Sequence, residues 1–293
     1  MATTTQRLTA LETSVSALRA RLTAAEARLA ALEAPPAAPT PAPAPAPAAA
    51  LHGRDITLDN TGPAAAGYAL TDVTTPALAS QAPGGVWTGK RFTRGITIDA
   101  PVTLVGCEIV GTIDTHGHIT RLEWCSIAPA TPGDWALGPE NFSAYRTRLA
   151  GCSDGARANG GTKGSSLVEC HIRCASQSAQ DHNDGIQNYG GSGAVVVLRC
   201  NISVAGLPGA NAALFSADGA TGSTSWVDNL IAGGGYALRA YEDTSYVIRG
   251  NEIVDGSWGF GPVAMFNPNG REFTAEDNWI VDSAGRRTRP VVL

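Results

Sequence analysis

The residues best suited to chemistry lie in two matched segments of the 293-residue chain. One reads DGARANGGTKGSSLVECHIRCA from Asp154, the other DGIQNYGGSGAVVVLRCNISVA from Asp184, offset by 30 residues without a gap. Asp181, His182 and Asp184 cluster at the start of the second copy, and Asp154 holds the position of Asp184 in the first. If the copies stack strand on strand, the two carboxyls come within about 5 Å of each other. That separation suits a retaining glycosidase pair or a shared Ca2+ ion, with His182 as a base near neutral pH. The competing reading is that Asp before Gly forms a turn and bonds its own backbone. His116-Gly117-His118 has ligand-like spacing but no nearby carboxylate or thiol partner, so it reads as a turn and no metal site is assigned. His52 abuts a proline-rich segment and is given no role.

A recurring tripeptide must position these residues. It reads Cys107-Glu108-Ile109, Cys125-Ser126-Ile127, Thr147-Arg148-Leu149, Cys170-His171-Ile172, Cys200-Asn201-Ile202, Asn229-Leu230-Ile231, Asn251-Glu252-Ile253 and Asn278-Trp279-Ile280. The spacings are 18, 22, 23, 30, 29, 22 and 27 residues, the period of a solenoid that stacks strand upon strand. Strand side chains alternate, so the first and third residues face inward and the mostly polar middle set faces out. Four of the six cysteines then line one interior column. They are expected as reduced, close-packed thiols, with disulfides or a metal as alternatives. The last three rungs are Asn, which predicts amide hydrogen bonds from coil to coil.

Alternation also defines an outward stripe. With Ile186, Leu214, Leu238 and Met265 inside, Gln187, Phe215, Arg239 and Phe266 point out, with Tyr189 and Tyr241 two residues beyond their neighbours. Such a row of aromatics, Gln and Arg fits either subunit contact or sugar stacking.

Residues 1–34 carry Leu8, Leu11, Val15, Leu18, Leu22, Ala25, Leu29 and Leu32, an a/d heptad seam. A parallel pairing brings Arg7 to Glu12, Arg21 to Glu26 and Arg28 to Glu33, which predicts a parallel homo-oligomeric coiled coil. Two and three strands are not distinguished by these heptads. Residues 35–50 form a Pro/Ala-rich linker expected as a stiff polyproline spacer. Residues 51–95 are expected to give the first strand and a cap, and 96–293 the regular coils. Gly at 34, Pro at 18 and 16% charged residues suit a turn-rich β protein. A net charge of -5 without a dense basic patch argues against nucleic acid, and no apolar run is long enough to insert in a membrane. The N-terminus shows no basic segment followed by an apolar core, so no secretory signal is expected.

The tripeptides, DHNDGIQNYGGSG at 181–193, ANAALFSADG at 210–219, NLIAGGGYAL at 229–238 and GFGPVAMF at 259–266 resemble right-handed parallel β-helix, pectate-lyase-like proteins of actinobacteria and their phages. The resemblance covers about residues 55–293 and implies an all-β, right-handed parallel β-helix preceded by the coiled coil. The coiled coil and Pro/Ala stalk resemble phage tail fibre and tailspike design. That implies a homotrimer in the virion, joined through residues 1–34, contacting other phage tail proteins and a host cell-surface glycan, without a cofactor. The carboxylates that bind Ca2+ in pectate lyases, and their catalytic Arg, have no matching positions here. A polysaccharide lyase or glycosidase using Asp154, His182 and Asp184 is the alternative, and a non-catalytic bacterial surface protein, extracellular rather than virion-borne, is the second.

Overall fold

A computed structural model describes residues 51–293 except 160, 177, 179, 218, 220, 221, 242–244 and 266–271. The coiled-coil and linker expectations therefore lie outside the described residues. The described chain is all-β and builds three long, mainly parallel sheets, in which each strand pairs with the strand three places away in sequence, except that Arg287–Pro290 closes one sheet antiparallel to Trp279–Val281. Sheet I has eleven strands, sheet II seven and sheet III nine. A turn of chain contributes one strand to each face, as with His171–Arg173 in sheet I, Asp184–Tyr189 in sheet II and Val195–Leu198 in sheet III. This arrangement is consistent with a parallel β-helix.

The tripeptides form sheet I, in register: Ser126 pairs with Glu108 and Arg148, Arg148 with His171, and His171 with Asn201. Each rung follows a single left-handed residue. Trp124, Arg146, Glu169, Arg199, Asp228 and Asp277 all have φ between 49° and 55°, and Gly106 and Gly250 take the equivalent places. One such residue turns the chain from sheet III into sheet I and aims the rung side chain inward. It also leaves the rung N–H without a strand partner, and the next rung supplies one. Cys200 N donates to Asn229 Oδ1 at 2.8 Å, Asn229 N to Asn251 Oδ1 at 3.1 Å and Asn251 N to Asn278 Oδ1 at 3.1 Å. The amides also bond one another, Asn229 Nδ2 to Asn251 Oδ1 and Asn251 Nδ2 to Asn278 Oδ1, both at 2.9 Å. The cysteines are free thiols, and Cys125, Cys170 and Cys200 donate to carbonyls of the preceding coil at 3.3–3.5 Å.

The middle residues of the tripeptides are less uniform than alternation predicts, because His171, Asn201 and Glu252 are buried. The segment 51–95 divides in two. Residues 71–95 make the first turn of the solenoid, with Thr71–Val73 pairing in parallel with Lys90–Phe92. Residues 51–67 instead run back along the outer face of sheet I as a strap. Gly53 N donates to Asp228 O at 2.8 Å, Asn201 Nδ2 to Ile56 O at 2.7 Å and Gly62 N to Arg146 O at 2.9 Å. The carbonyls of the left-handed corners at Arg146, Asp228 and Gly250 thus find partners in the strap.

The Asp-Gly pairs at 154 and 184 are not turns. Both lie within strands of sheet II, Cys152–Arg157 and Asp184–Tyr189, where the chain passes over the inward Ile of sheet I. A Cβ on Gly155 would meet Ile172 Cγ2 at 2.3 Å, and one on Gly185 would meet Ile202 Cγ2 at 2.4 Å. Glycine is required there for close approach rather than for a turn.

Candidate functional site

The outer face of sheet II carries a row of polar and aromatic groups. Ala156 pairs with Ile186, Ile186 with Leu214, Leu214 with Leu238 and Leu238 with Val263, forming the inward row. The neighbouring outward row is Arg157, Gln187, Phe215, Arg239 and Ala264. Met265 therefore stacks on Ala240 and not on Leu238, two residues from the expected register. A slip of two keeps the same face, so alternation alone does not detect it. Phe266 lies outside the described residues.

Phe215 points outward as expected but is 5% exposed, because it packs with Ala212, Ala217 and Tyr241 under the guanidinium of Arg239. Arg239 Cζ lies 5.3 Å from the Phe215 ring centre and 4.9 Å from that of Tyr241, a geometry that favours the cation over both rings. Its Nη1 donates to Asn211 Oδ1 at 2.5 Å. Tyr189 extends its row beside Ala217.

Above this row, loops entering sheet II from successive coils enclose a cleft of about 1140 Å3. Its floor brings together Asp184, Gln187, Phe215 and Arg239, with His182 on its wall. Asp154, Tyr189 and Tyr241 do not line it. Tyr236, Trp258 and Phe260 also line it, three aromatics to which the sequence reading gave no role. Phe260 is 81% exposed yet fixed: its N–H donates to Gly235 O at 2.7 Å, Gly259 N donates to Gly234 O at 2.9 Å, and its ring lies 5.7 Å from that of Tyr236. The glycine run at 233–235 and the Trp258-Gly259-Phe260 stretch were visible in the sequence, but their meeting was not.

The carboxylates do structural work. Asp154 Oδ1 accepts from Asp184 N at 3.1 Å, and its Oδ2 from Arg157 Nε at 2.8 Å, while Arg157 stacks 4.4 Å from the Trp135 ring centre. Asp184 Oδ1 accepts from Ala212 N at 3.0 Å and from Asn211 Nδ2 at 3.1 Å. Each carboxyl thus holds the backbone of the next coil, whereas each Asn of the ladder holds that of the preceding one. Burial raises the pKa of Asp154 against the opposing pull of Arg157. Burial, then the charge of Asp154, raises that of Asp184 well above the usual carboxylate range. With donors already on both carboxyls, the pair does not fit a Ca2+ ion, and among the described residues no group of three His, Cys, Asp or Glu is placed to hold a metal. Asp181 serves its own loop, accepting from Ser178 N at 3.1 Å and Ser178 Oγ at 3.0 Å. His116 has φ 46° in the turn after Ile113–Asp114, where its N–H donates to Asp114 Oδ1 at 2.9 Å.

Asp184 yields a pH prediction with a defined sign. Its folded pKa lies above the unfolded value near 3.8, so its contribution to stability is complete below that value and is lost as pH rises through the folded one. Asp184→Asn keeps an acceptor for Ala212 N and carries no charge. Thermal unfolding should find this variant at least as stable as the parent at pH 8, with the advantage vanishing toward pH 4. A variant less stable at pH 8 than at pH 4, relative to the parent, would show that the buried carboxylate is needed in its charged form.

No protein-family model matches this chain, and the searches of curated proteins and of solved structures likewise give no match.

Proposed function

We propose that this chain is a phage tail fibre or tailspike-like minor tail protein: a homotrimer joined through residues 1–34, bearing a right-handed, pectate-lyase-like β-helix that recognises a host-surface glycan. The hand follows from the strong preference of parallel strand crossovers. The role in the virion rests on the heptad seam and the Pro/Ala stalk in the sequence. The observation that carries the glycan reading is Phe260, an exposed ring held by backbone hydrogen bonds at the rim of a cleft whose floor offers Gln187 and Arg239. A fixed aromatic beside convergent polar groups is the arrangement that stacks the apolar face of a sugar ring and bonds its hydroxyls.

Phe260→Ala tests this reading. Binding of the intact oligomer to host-derived polysaccharide, followed by surface plasmon resonance, should weaken about tenfold, from the loss of roughly 1–2 kcal/mol of stacking. The melting temperature should not move, since the ring is exposed. Unchanged affinity for a polysaccharide that the parent binds would remove the cleft from the interaction.

One observation favours the lyase or glycosidase alternative: the carboxyl of Asp184, raised in pKa, lies on the cleft floor with His182 on the wall. New reducing ends or unsaturated products from the same polysaccharides, abolished in Asp184→Asn, would support it.

A further inference from the structure

The strap ends at a buried carboxylate. Glu252, on sheet I, is fully buried, and its Oε1 is shared by the guanidinium of Arg54 from the strap and by Arg287 Nε at 3.1 Å. Its Oε2 has no hydrogen-bond partner among the described residues and sits 3.7 Å from His52 Nδ1. His52 is already engaged on both ring nitrogens. Its Nε2 lies 2.8 Å from Gly250 O, so it carries the proton, and Nδ1 accepts from Arg54 N at 3.4 Å. Around the ring, the charges from the strap are Arg54 and Asp55, which accepts from His52 N at 2.9 Å; those from the coils are Asp228, Glu252 and Arg287. Arg287 is in turn 3.3 Å from Asp277.

We propose that His52 is an acid-sensitive pin: protonation of its ring releases residues 51–56 from the last coils and uncovers the outer face of sheet I at Asn201 and Glu252. A proton on Nδ1 converts an acceptor to a donor and breaks the bond from Arg54 N. It also adds a cation beside two guanidiniums, with Glu252 Oε2, 3.7 Å away, pulling the other way. Burial and those guanidiniums hold the His52 pKa below its ordinary 6.5, against the pull of the Gly250 carbonyl and Asp228. With a folded pKa below the unfolded one, the stabilisation is complete above pH 6.5 and is lost as pH falls through the folded value. The other clamp of the strap, Arg146 with Nη1 on Asn60 O at 3.2 Å and Nε on Glu169 at 2.5 Å, contains no histidine, so release starts at the His52 end.

Hydrogen exchange of the full chain, corrected for intrinsic rates, tests the pin. Between pH 7.5 and 5.0, protection of the peptide containing Gly53 and Ile56 should fall, approaching tenfold per pH unit between 6.5 and the folded pKa and levelling off below it. Protection of Ile172 and Ile202 in sheet I should hold. Exchange of the His52 ring C–H, read by mass, should give a midpoint below 6.5. In His52→Gln, strap protection should no longer depend on pH, whatever its level. Flat protection in the parent, or a His52 midpoint above 6.5 with the strap tightening in acid, would overturn the proposal.

Discussion

Asn251→Leu is expected to lower the free energy of unfolding by about 4–6 kcal/mol. The Asn251 amide makes four interactions inside the solenoid. Its Oδ1 accepts from Asn229 N at 3.1 Å and Asn229 Nδ2 at 2.9 Å, and its Nδ2 donates to Trp226 O at 2.8 Å and Asn278 Oδ1 at 2.9 Å. Leucine removes all four and leaves a buried N–H, an amide hydrogen and a carbonyl unpaired, each costing about 1–3 kcal/mol. Asn251→Cys reproduces the chemistry of the earlier rungs, whose thiols bond weakly at 3.3–3.5 Å, and should cost about half as much. Urea unfolding followed by circular dichroism and by tryptophan fluorescence measures both. Equal losses for Leu and Cys would mean that volume, and not the hydrogen-bonded column, sets the cost.

Gly185→Ala is expected to cost about 3 kcal/mol, although it adds a single methyl group to a strand. The new Cβ would lie 2.4 Å from Ala213 O and 2.4 Å from Ile202 Cγ2. The first contact is with the backbone of the adjacent coil, so shortening the side chain in Gly185→Ala/Ile202→Ala should not rescue stability. Gly190→Ala is the comparison: φ is 65° but nothing lies within 4 Å of its Cβ, so only backbone strain of about 1–2 kcal/mol applies. Rescue by Ile202→Ala, seen as a return of the urea midpoint, would locate the constraint in side-chain packing instead.

The same glycine shows where local reading fails. Asp-Gly is a strong turn signal, and at 154 and 184 that signal is present without a turn. The cause is a contact with Ile172 or Ile202, a residue of another sheet, which no window around the Asp-Gly pair contains. Gln187, Phe215 and Arg239 share one row, a placement that alternation reaches because it depends only on near neighbours. The inward row slipped at Met265 by two residues, because coil length between Arg239 and Ala264 is set by loops and alternation has no means of counting them. Of the candidate site, Asp184, His182, Gln187, Phe215 and Arg239 meet at one cleft, whereas Tyr236, Trp258 and Phe260 complete it from coils whose contribution depends on how far each loop reaches.

The sequence by itself determined the repeat, the inward column of thiols and amides, and the parallel stacking of the tripeptides. These follow from side-chain alternation and from a left-handed corner repeated once per coil, both local properties of the backbone. Only the tertiary structure decided which outer faces are open. The strap joins partners 198 residues apart at His52 and Gly250 and 145 apart at Asn201 and Ile56, and its own residues carry no periodic mark of that docking. It buries Asn201 and Glu252 on sheet I, while on sheet II loops of unequal length raise the walls of the cleft. Alternation tells which way a side chain points from its strand; what then covers it depends on chain that arrives from elsewhere.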